Sequence, residues 1–101
     1  MLYVSFPNAV NGILMGNGSV SVPSVPGKRH RLAGVLARFP GTGPQTGTLR
    51  LRINGIVEWE AAVSGGISIW FPGGGIETPP GATVTAELTG ATIQLLGGTE
   101  A

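Results

Sequence analysis

Along its whole length this sequence alternates between short apolar runs and turns built from Gly, Pro or Asn. It contains 18 Gly and 8 Pro among 101 residues, and both residue types disfavour the interior of a helix. Strands of about five or six residues fit between such turns. The pattern predicts an all-β fold, a single-domain antiparallel β-sandwich of about eight short strands spanning residues 1–101. The candidate strands are residues 2–6, 10–15, 19–25, 31–39, 48–53, 56–63, 66–71, 82–88 and 91–96.

One segment, residues 31–39, also fits a helical pattern. Its apolar side chains at Leu32, Val35, Leu36 and Phe39 follow the spacing of one helix face. The segment contains a glycine, stops at a proline and has no good N-cap, so a helix here would have about two turns and little stability. We therefore expect a strand.

The composition describes a folded, weakly charged domain. Hydrophobic residues make up 42% of the chain, enough to build a core from paired strands, whereas charged residues make up only 11%. The chain has no Cys, which excludes disulfides and thiolate metal sites. Its N-terminal region has no basic segment before Lys28 and no apolar stretch near the roughly 18 residues that span a bilayer, so we expect neither a signal peptide nor membrane insertion.

Positive and negative charges are segregated along the chain. All six cations precede all five acids, and the acids are all Glu. Two arrangements suit this order: cross-strand ion pairs within one subunit, which we favour, or complementary patches on neighbouring copies. Six cations are too few for a convincing nucleic-acid footprint, so no specific nucleic acid is expected as a partner.

Residues 48–61 are predicted to form a hairpin around Asn54-Gly55. A two-residue turn in a regular ladder would mix apolar and charged side chains on both faces. A three-residue loop, residues 53–55, would shift the pairing by one residue and give one apolar and one charged face. Because a sheet with one buried face needs this separation, we predict the three-residue loop. The expected opposed pairs are Leu49 with Trp59, Leu51 with Val57, and Arg50 with Glu58.

The stretch "IWFPGGGIETPPGA" (69–82) joins two aromatic residues to a loop rich in Gly and Pro. A phosphate-binding loop would open a helix and usually carry Lys with Ser or Thr, but this loop has no Lys and leads into the strand-like run "ATVTAEL". The pattern therefore predicts a rigid crossover between strands, with a trans Phe71-Pro72 bond.

Residues suited to catalysis are scarce. The chain has one His, His30, no Asp, and no G-x-S-x-G motif around a nucleophilic Ser. Glu58 and Glu60 could form a carboxylate pair on one strand, but two acids facing Arg50 and Arg52 are more typical of a solvated sheet face. We predict a protein that is not an enzyme and that uses no cofactor and no metal.

Two short segments are candidates for an interaction surface. Trp70 and Phe71 are adjacent in a strand and must face opposite ways, so one should enter the core while the other lies at an interface or stacks on a sugar ring. The segment "GKRHR" supplies Lys28, Arg29 and Arg31, which either contact an anionic surface or belong to a solvated loop.

The second half of the chain, residues 57–98, resembles the closing strands of small jelly-roll proteins that decorate the capsids of tailed bacteriophages. The resemblance lies in Trp59 in a middle strand, the passage "GGGIETPPGATVTAEL" and the final strand "TIQLLGG". It implies a jelly-roll-like sandwich of two four-stranded sheets and no particular site residue. It also implies a structural virion protein on the capsid surface that forms a homo-oligomer, preferably a trimer, and clamps the major capsid protein. The alternative is a carbohydrate- or receptor-binding module that uses Trp59 or Trp70 as a stacking platform.

Overall fold

The computed structural model describes residues 2–101, and these contain eight strands and no helix. All strand pairs are antiparallel, so the all-β antiparallel fold predicted from the sequence is confirmed. Residues 31–39 lie in a strand, not a helix. The strands are β1 (Tyr3–Ser5), β2 (Ile13–Val22), β3 (His30–Arg38), β4 (Thr46–Ile53), β5 (Ile56–Ser64), β6 (Gly66–Trp70), β7 (Ile76–Glu77) and β8 (Val84–Glu100).

Strand β8 is the centre of the sheet. Residues 84–87 of β8 lie between β4 and the end of β2. Residues 92–96 lie between β3 and the start of β2, and residues 98–99 lie between β3 and β1. The β2–β8 register is interrupted at Gly18 of β2, opposite residues 88–91 of β8. Gly18 has a φ of 78°, which suits glycine, and both strands turn a corner here.

The corner divides the sheet into two arms. The β4–β5 arm consists of β4, β5, residues 84–88 of β8 and residues 19–22 of β2. The β3–β6 arm consists of β3, β6, residues 91–97 of β8 and residues 13–17 of β2. On the side away from the corner, β5 and β6 pair only at Ser64 and Gly66. The sheet therefore curls into a half-barrel whose arms face each other as the layers of a sandwich do.

The hydrophobic core lies between the two arms. Along each strand the inward positions are apolar and alternate with outward ones, as expected for a sheet with one buried face. The β4–β5 arm contributes Val20, Val22, Leu49, Leu51, Val63, Val84, Ala86 and Leu88, and the β3–β6 arm contributes Leu32, Val35, Ala37, Ala91, Ile93 and Leu95.

The β4–β5 hairpin corrects the predicted loop length. Asn54 and Gly55 form a two-residue turn, with Ile53 opposite Ile56, so the three-residue loop was wrong. The one-residue shift that keeps apolar side chains on one face comes instead from a β-bulge: Glu58, within β5, has no partner residue on β4. From Leu51 back to Leu49 the separation into one apolar and one charged face is nevertheless achieved, whereas next to the turn Val57 lies opposite Arg52. The observed pairs are Leu51 with Trp59, Arg50 with Glu60, and Leu49 with Ala61.

The Gly/Pro-rich segment after β6 is a crossover, as predicted. It passes along the start of β3, where β7 pairs with Arg31 and Leu32. The Thr78 amide donates to the His30 carbonyl oxygen at 2.8 Å, and the Gly81 amide donates to the Lys28 carbonyl oxygen at 2.8 Å. All peptide bonds in the described chain are trans, including that of Phe71-Pro72. Backbone hydrogen bonds therefore attach the crossover to the start of β3 before the chain enters β8.

His30 connects three segments that are distant in sequence. Its side chain is fully buried, and Nε2 lies 3.0 Å from the Pro23 carbonyl oxygen while Nδ1 lies 2.8 Å from Thr99 Oγ1. A carbonyl oxygen only accepts, so Nε2 carries the hydrogen, and Nδ1 of the neutral ring accepts from the Thr99 hydroxyl. The ring also packs edge-on against Phe6, 5.9 Å between centroids. Both ring nitrogens are thus satisfied inside the protein.

The Thr99→Val substitution tests this network. It keeps the side-chain shape but removes the hydroxyl, leaving Nδ1 of His30 buried without a donor, so we expect a loss of about 1–3 kcal/mol in the free energy of unfolding. Urea denaturation monitored by circular dichroism measures it. The matched control is Thr85→Val, because the Thr85 hydroxyl makes only an exposed contact with Ser21, and a change below about 0.5 kcal/mol is expected there. Equal losses for the two variants would contradict the assignment.

Candidate functional site

The outer face of the β4–β5 arm is polar and charged. Arg52 Nε donates to Glu87 Oε1 at 2.8 Å, and Arg50 Nε donates to Glu60 Oε2 at 3.3 Å. These are cross-strand ion pairs within one chain, and with the pairs described below they confirm the within-subunit interpretation of the segregated charges. A polar outer face is the usual state of an antiparallel sheet exposed to water.

The outer face of the β3–β6 arm is instead largely apolar. Strand register places Ile13, Leu96, Gly34 and Trp70 side by side in one row. The next row contains Met15, Gln94, Leu36 and Ser68. We call the five large apolar side chains of these rows the apolar face: Ile13, Met15, Leu36, Trp70 and Leu96.

Trp70 is the largest exposed side chain of the apolar face. It is 62% exposed, and Met15 is 56% exposed. A Cβ atom at Gly34 would lie only 2.8 Å from Cε3 of Trp70, so the indole lies over the glycine of the neighbouring strand. The absence of a side chain at Gly34 therefore lets Trp70 lie against the sheet with much of its surface facing solvent.

Phe71 takes the opposite direction from Trp70. It is half-buried against the core and meets Trp59 edge-to-face, with 5.7 Å between ring centroids. The expectation that only one residue of this pair enters the core is confirmed. Trp59 is half-buried as well, so Trp70 is the more accessible of the two indoles.

The basic segment is bound to the chain's own terminal strands and crossover. Arg31 Nη2 lies 3.0 Å from Glu77 Oε2, and its guanidinium lies 4.4 Å from the centroid of the Tyr3 ring. Arg29 lies 3.6 Å from both Glu77 and Glu100. Lys28 Nζ donates to the carbonyl oxygen of the C-terminal Ala101 at 3.0 Å. The structure thus places Lys28, Arg29 and Arg31 in intramolecular contacts, and of these three only Lys28 is without an acid partner.

The described residues place the one His inside the protein and form no cluster of metal-binding side chains. His30 is fully buried with both nitrogens bonded within the protein, so a substrate in solvent cannot reach it. No group of three or more His, Cys, Asp or Glu side chains in residues 2–101 is placed to hold a metal ion. The same residues contain no helix long and apolar enough to cross a membrane.

Four members of the apolar face were not singled out from the sequence: Ile13, Met15, Leu36 and Leu96. A signal was present, because "ILM" (13–15) and "LL" (95–96) place consecutive apolar residues in strands. Consecutive apolar residues in a strand indicate that both of its faces avoid water. That these side chains lie on one face depends on the pairing of β2, β8, β3 and β6.

The Glu77 carboxylate is the centre of the terminal charge cluster. The hydrogen bond donated by the Tyr3 hydroxyl, and then the one from Arg31, hold the pKa of Glu77 below its usual range. The same hydrogen bond to Glu77 raises the pKa of Tyr3. Ionised Glu77 therefore ties β1 and β3 to the crossover through polar contacts at the surface.

A pH-dependent contribution to stability follows for Glu77. Because its folded-state pKa is lowered, the contribution is fully present above the ordinary carboxyl pKa of about 4.3 and is lost as the pH falls through the lower folded-state pKa. We expect Glu77→Gln to lower the Tm at neutral pH and to match the native Tm in strong acid, measured by calorimetry across that range. The control is Glu58→Gln at a protein concentration low enough to keep the chain monomeric, since Glu58 makes no ion pair within its own chain, and its Tm should follow the native curve throughout. A constant difference for Glu77→Gln at every pH would contradict the prediction.

The structure thus presents two unlike outer faces and a charge cluster that joins the chain termini to the crossover. Comparison with known proteins adds no relative to this picture: no family model, no curated protein and no solved structure matches the chain.

Proposed function

We propose that this chain is a non-enzymatic docking protein, a capsid decoration subunit that binds the outside of an assembled phage capsid through its apolar face. The observation that carries the proposal is the contrast between the two arms. One arm has the charged outer face of a solvated sheet, and the other has an apolar outer face with an exposed indole.

The apolar face has the properties of an interface. Contiguous exposed apolar patches are uncommon on soluble monomers and usually mark contact with a partner. Trp is enriched among the residues that dominate binding energy, and Met adapts its shape to a partner surface. The side chains sit on four paired strands, so the face is held rigidly and little order has to be gained on binding.

The class of partner comes from the resemblance of residues 57–98 to capsid decoration proteins. Part of that stretch forms β8, which contributes Leu96 to the apolar face and packs beneath the rest of it. The partner in this proposal is the major capsid protein, the location is the capsid surface of the virion, and the subunit acts as a homo-oligomer, with a trimer favoured. The low charge of the chain fits a surface that associates readily.

The mechanism is stabilisation by selective binding. A subunit that contacts two neighbouring capsid proteins binds the assembled shell and not the free capsid protein. Such binding shifts the equilibrium toward the assembled shell by mass action. Apolar contact supplies the free energy, and no reaction is required.

Substitutions on the apolar face test the proposal. Trp70→Ala and Leu36→Ser should each weaken binding to empty heads, from the phage that encodes the chain, by roughly tenfold or more, because each removes apolar area from the centre of the contact. Cosedimentation of the purified protein with such heads measures the affinity, and free capsid protein should not bind.

The matched control for these variants is Leu2→Ser. Leu2 is 72% exposed but lies outside the apolar face, so the variant should bind heads as the native protein does. Circular dichroism checks that all variants keep the native fold. Failure of the native protein to sediment with assembled heads would rule out the proposed function, and a loss for Leu2→Ser equal to that for Trp70→Ala would rule out the assigned face.

A second candidate function is carbohydrate binding, and the exposed indole of Trp70 favours it. An indole lying against a sheet with one face open can stack on a sugar ring, and Gln94 and Ser68 in the adjoining row could bind its hydroxyls. This function predicts binding on a glycan array that is abolished by Trp70→Ala and retained by Trp70→Phe. Silence of the native protein across the array would remove it.

A further inference from the structure

One arginine and one glutamate lie outside the ion-pair pattern of the described residues. The acids Glu60, Glu77, Glu87 and Glu100 all pair with arginines of the same chain. Within residues 2–101, Arg38 is the only arginine and Glu58 the only glutamate whose side chain makes no ion pair and no hydrogen bond. The described chain therefore leaves one arginine and one glutamate without any partner, whereas Lys28, which also lacks an acid partner, is hydrogen-bonded to Ala101.

Glu58 lies next to the tip of the β4–β5 hairpin, beside two exposed apolar residues. It is the bulged residue of β5, so it is displaced from the regular ladder that pairs Arg50 with Glu60. Ile56 is 64% exposed and Val57 is 37% exposed. We call residues Ile56, Val57 and Glu58 the hairpin tip: a protruding apolar pair with an unpaired carboxylate beside it.

Arg38 lies near the other end of β4, in an open groove that it shares with Gln45. The groove runs between the outer face of the β3–β6 arm and the loop that follows β3, and its volume is about 1160 Å³. That volume exceeds the range of roughly 300–1000 Å³ usual for small-molecule pockets, which suits a protein segment better than a small ligand. We call it the Arg38 groove; its lining includes Leu36, Arg38, Pro40, Gln45, Ser68 and Gln94.

The hairpin tip and the Arg38 groove cannot meet within one chain. Gln45 lines the groove, and the strand that follows it, β4, runs through all eight of its residues before the hairpin turn. At about 3.4 Å per residue, this strand separates the two sites by roughly 25 Å. Contact between them therefore requires two copies.

We propose that the hairpin tip of one copy docks into the Arg38 groove of a second copy, with Glu58 pairing with Arg38 and Ile56 and Val57 packing near Leu36. The charges are complementary and each is otherwise unpaired, and apolar side chains adjoin both. This contact accounts for the arginine and the glutamate that the intramolecular ion pairs leave out. It shares Leu36 with the face proposed to bind the capsid, whereas Trp70, Leu96, Ile13 and Met15 lie outside the groove lining.

The contact joins two different surfaces, and two arrangements satisfy it. In a two-fold dimer the tip of each copy enters the groove of the other, whereas in a heterologous arrangement one tip and one groove stay free, so association continues until a ring closes or a chain forms. Both arrangements bring Glu58 of one copy to Arg38 of another, so the same charge reversal tests both, and the size of the assembly separates them.

The experiment uses two charge-reversed variants, Glu58→Arg and Arg38→Glu, studied alone and mixed. Each variant alone places like charges at the contact, so self-association should weaken by roughly tenfold or more relative to the native protein. In the equimolar mixture, the basic tip of the first variant meets the acidic groove of the second, and the unaltered tip of the second meets the unaltered groove of the first. Opposite charges then face each other at both contacts, so association should return. Sedimentation velocity over a series of concentrations measures it.

The control is Glu60→Arg, which reverses a charge on the same strand. Glu60 pairs with Arg50 of its own chain, so this variant should associate as the native protein does. A native protein that stays monomeric at every concentration would overturn the proposal, as would a mixture that associates no better than its two components. Binding of Arg38→Glu to phage heads, scored separately, distinguishes failure of this contact from failure of the proposed function.

Discussion

A single strand, β8, has to pair with both arms of the sheet, and the rest of the fold depends on how it does so. Its 17 residues pair with β1, β2, β3 and β4. Inward positions are even-numbered before the corner, at Val84, Ala86 and Leu88, and odd-numbered after it, at Ala91, Ile93 and Leu95. The corner therefore both bends the strand and changes which residues face outward.

That change of phase accounts for the difference between the two outer faces. Before the corner the outward residues of β8 include Thr85 and Glu87, and Glu87 pairs with Arg52 of β4. After the corner they are Thr92, Gln94 and Leu96. Thr92 lies beside Asn17 and Arg38, whereas the neighbours of Gln94 and Leu96 on β2 and β3 are Met15, Leu36, Ile13 and Gly34. One strand thus contributes to a charged outer face and to the apolar face, and the corner at Gly18 separates them.

Much of the fold could be predicted from local patterns, and the departures arise from long-range pairing. Gly and Pro marked most strand ends. They could not indicate that the runs 10–15 and 19–25 belong to one strand, β2, and the runs 82–88 and 91–96 to another, β8, because continuity across the corner depends on the partner strands. In the β4–β5 hairpin, alternation requires one extra residue on the way from Leu51 to Trp59. An extra residue in the loop and a bulge at Glu58 shift the pairing by the same one residue, so the sequence pattern fits both. Only the cross-strand geometry selects the bulge.

The candidate site was predictable to a smaller extent. The opposite directions of Trp70 and Phe71 follow from strand geometry alone. The apolar face, in contrast, needs four strands in register, and no contiguous sequence motif encodes that register.

The limited pairing of β5 with β6 has a mechanical consequence. Beyond Ser64 and Gly66 the two arms meet on this side through side chains, notably Trp59 against Phe71, while continuous strands join them at the corner. A closed barrel has a circumference set by its hydrogen bonds, whereas a sheet open along one seam can change curvature without breaking a ladder. Away from the Ser64–Gly66 connection, the angle between the two arms on this side is therefore held by side-chain packing and not by a ladder, and a neighbour that contacts both arms would restrain that angle further.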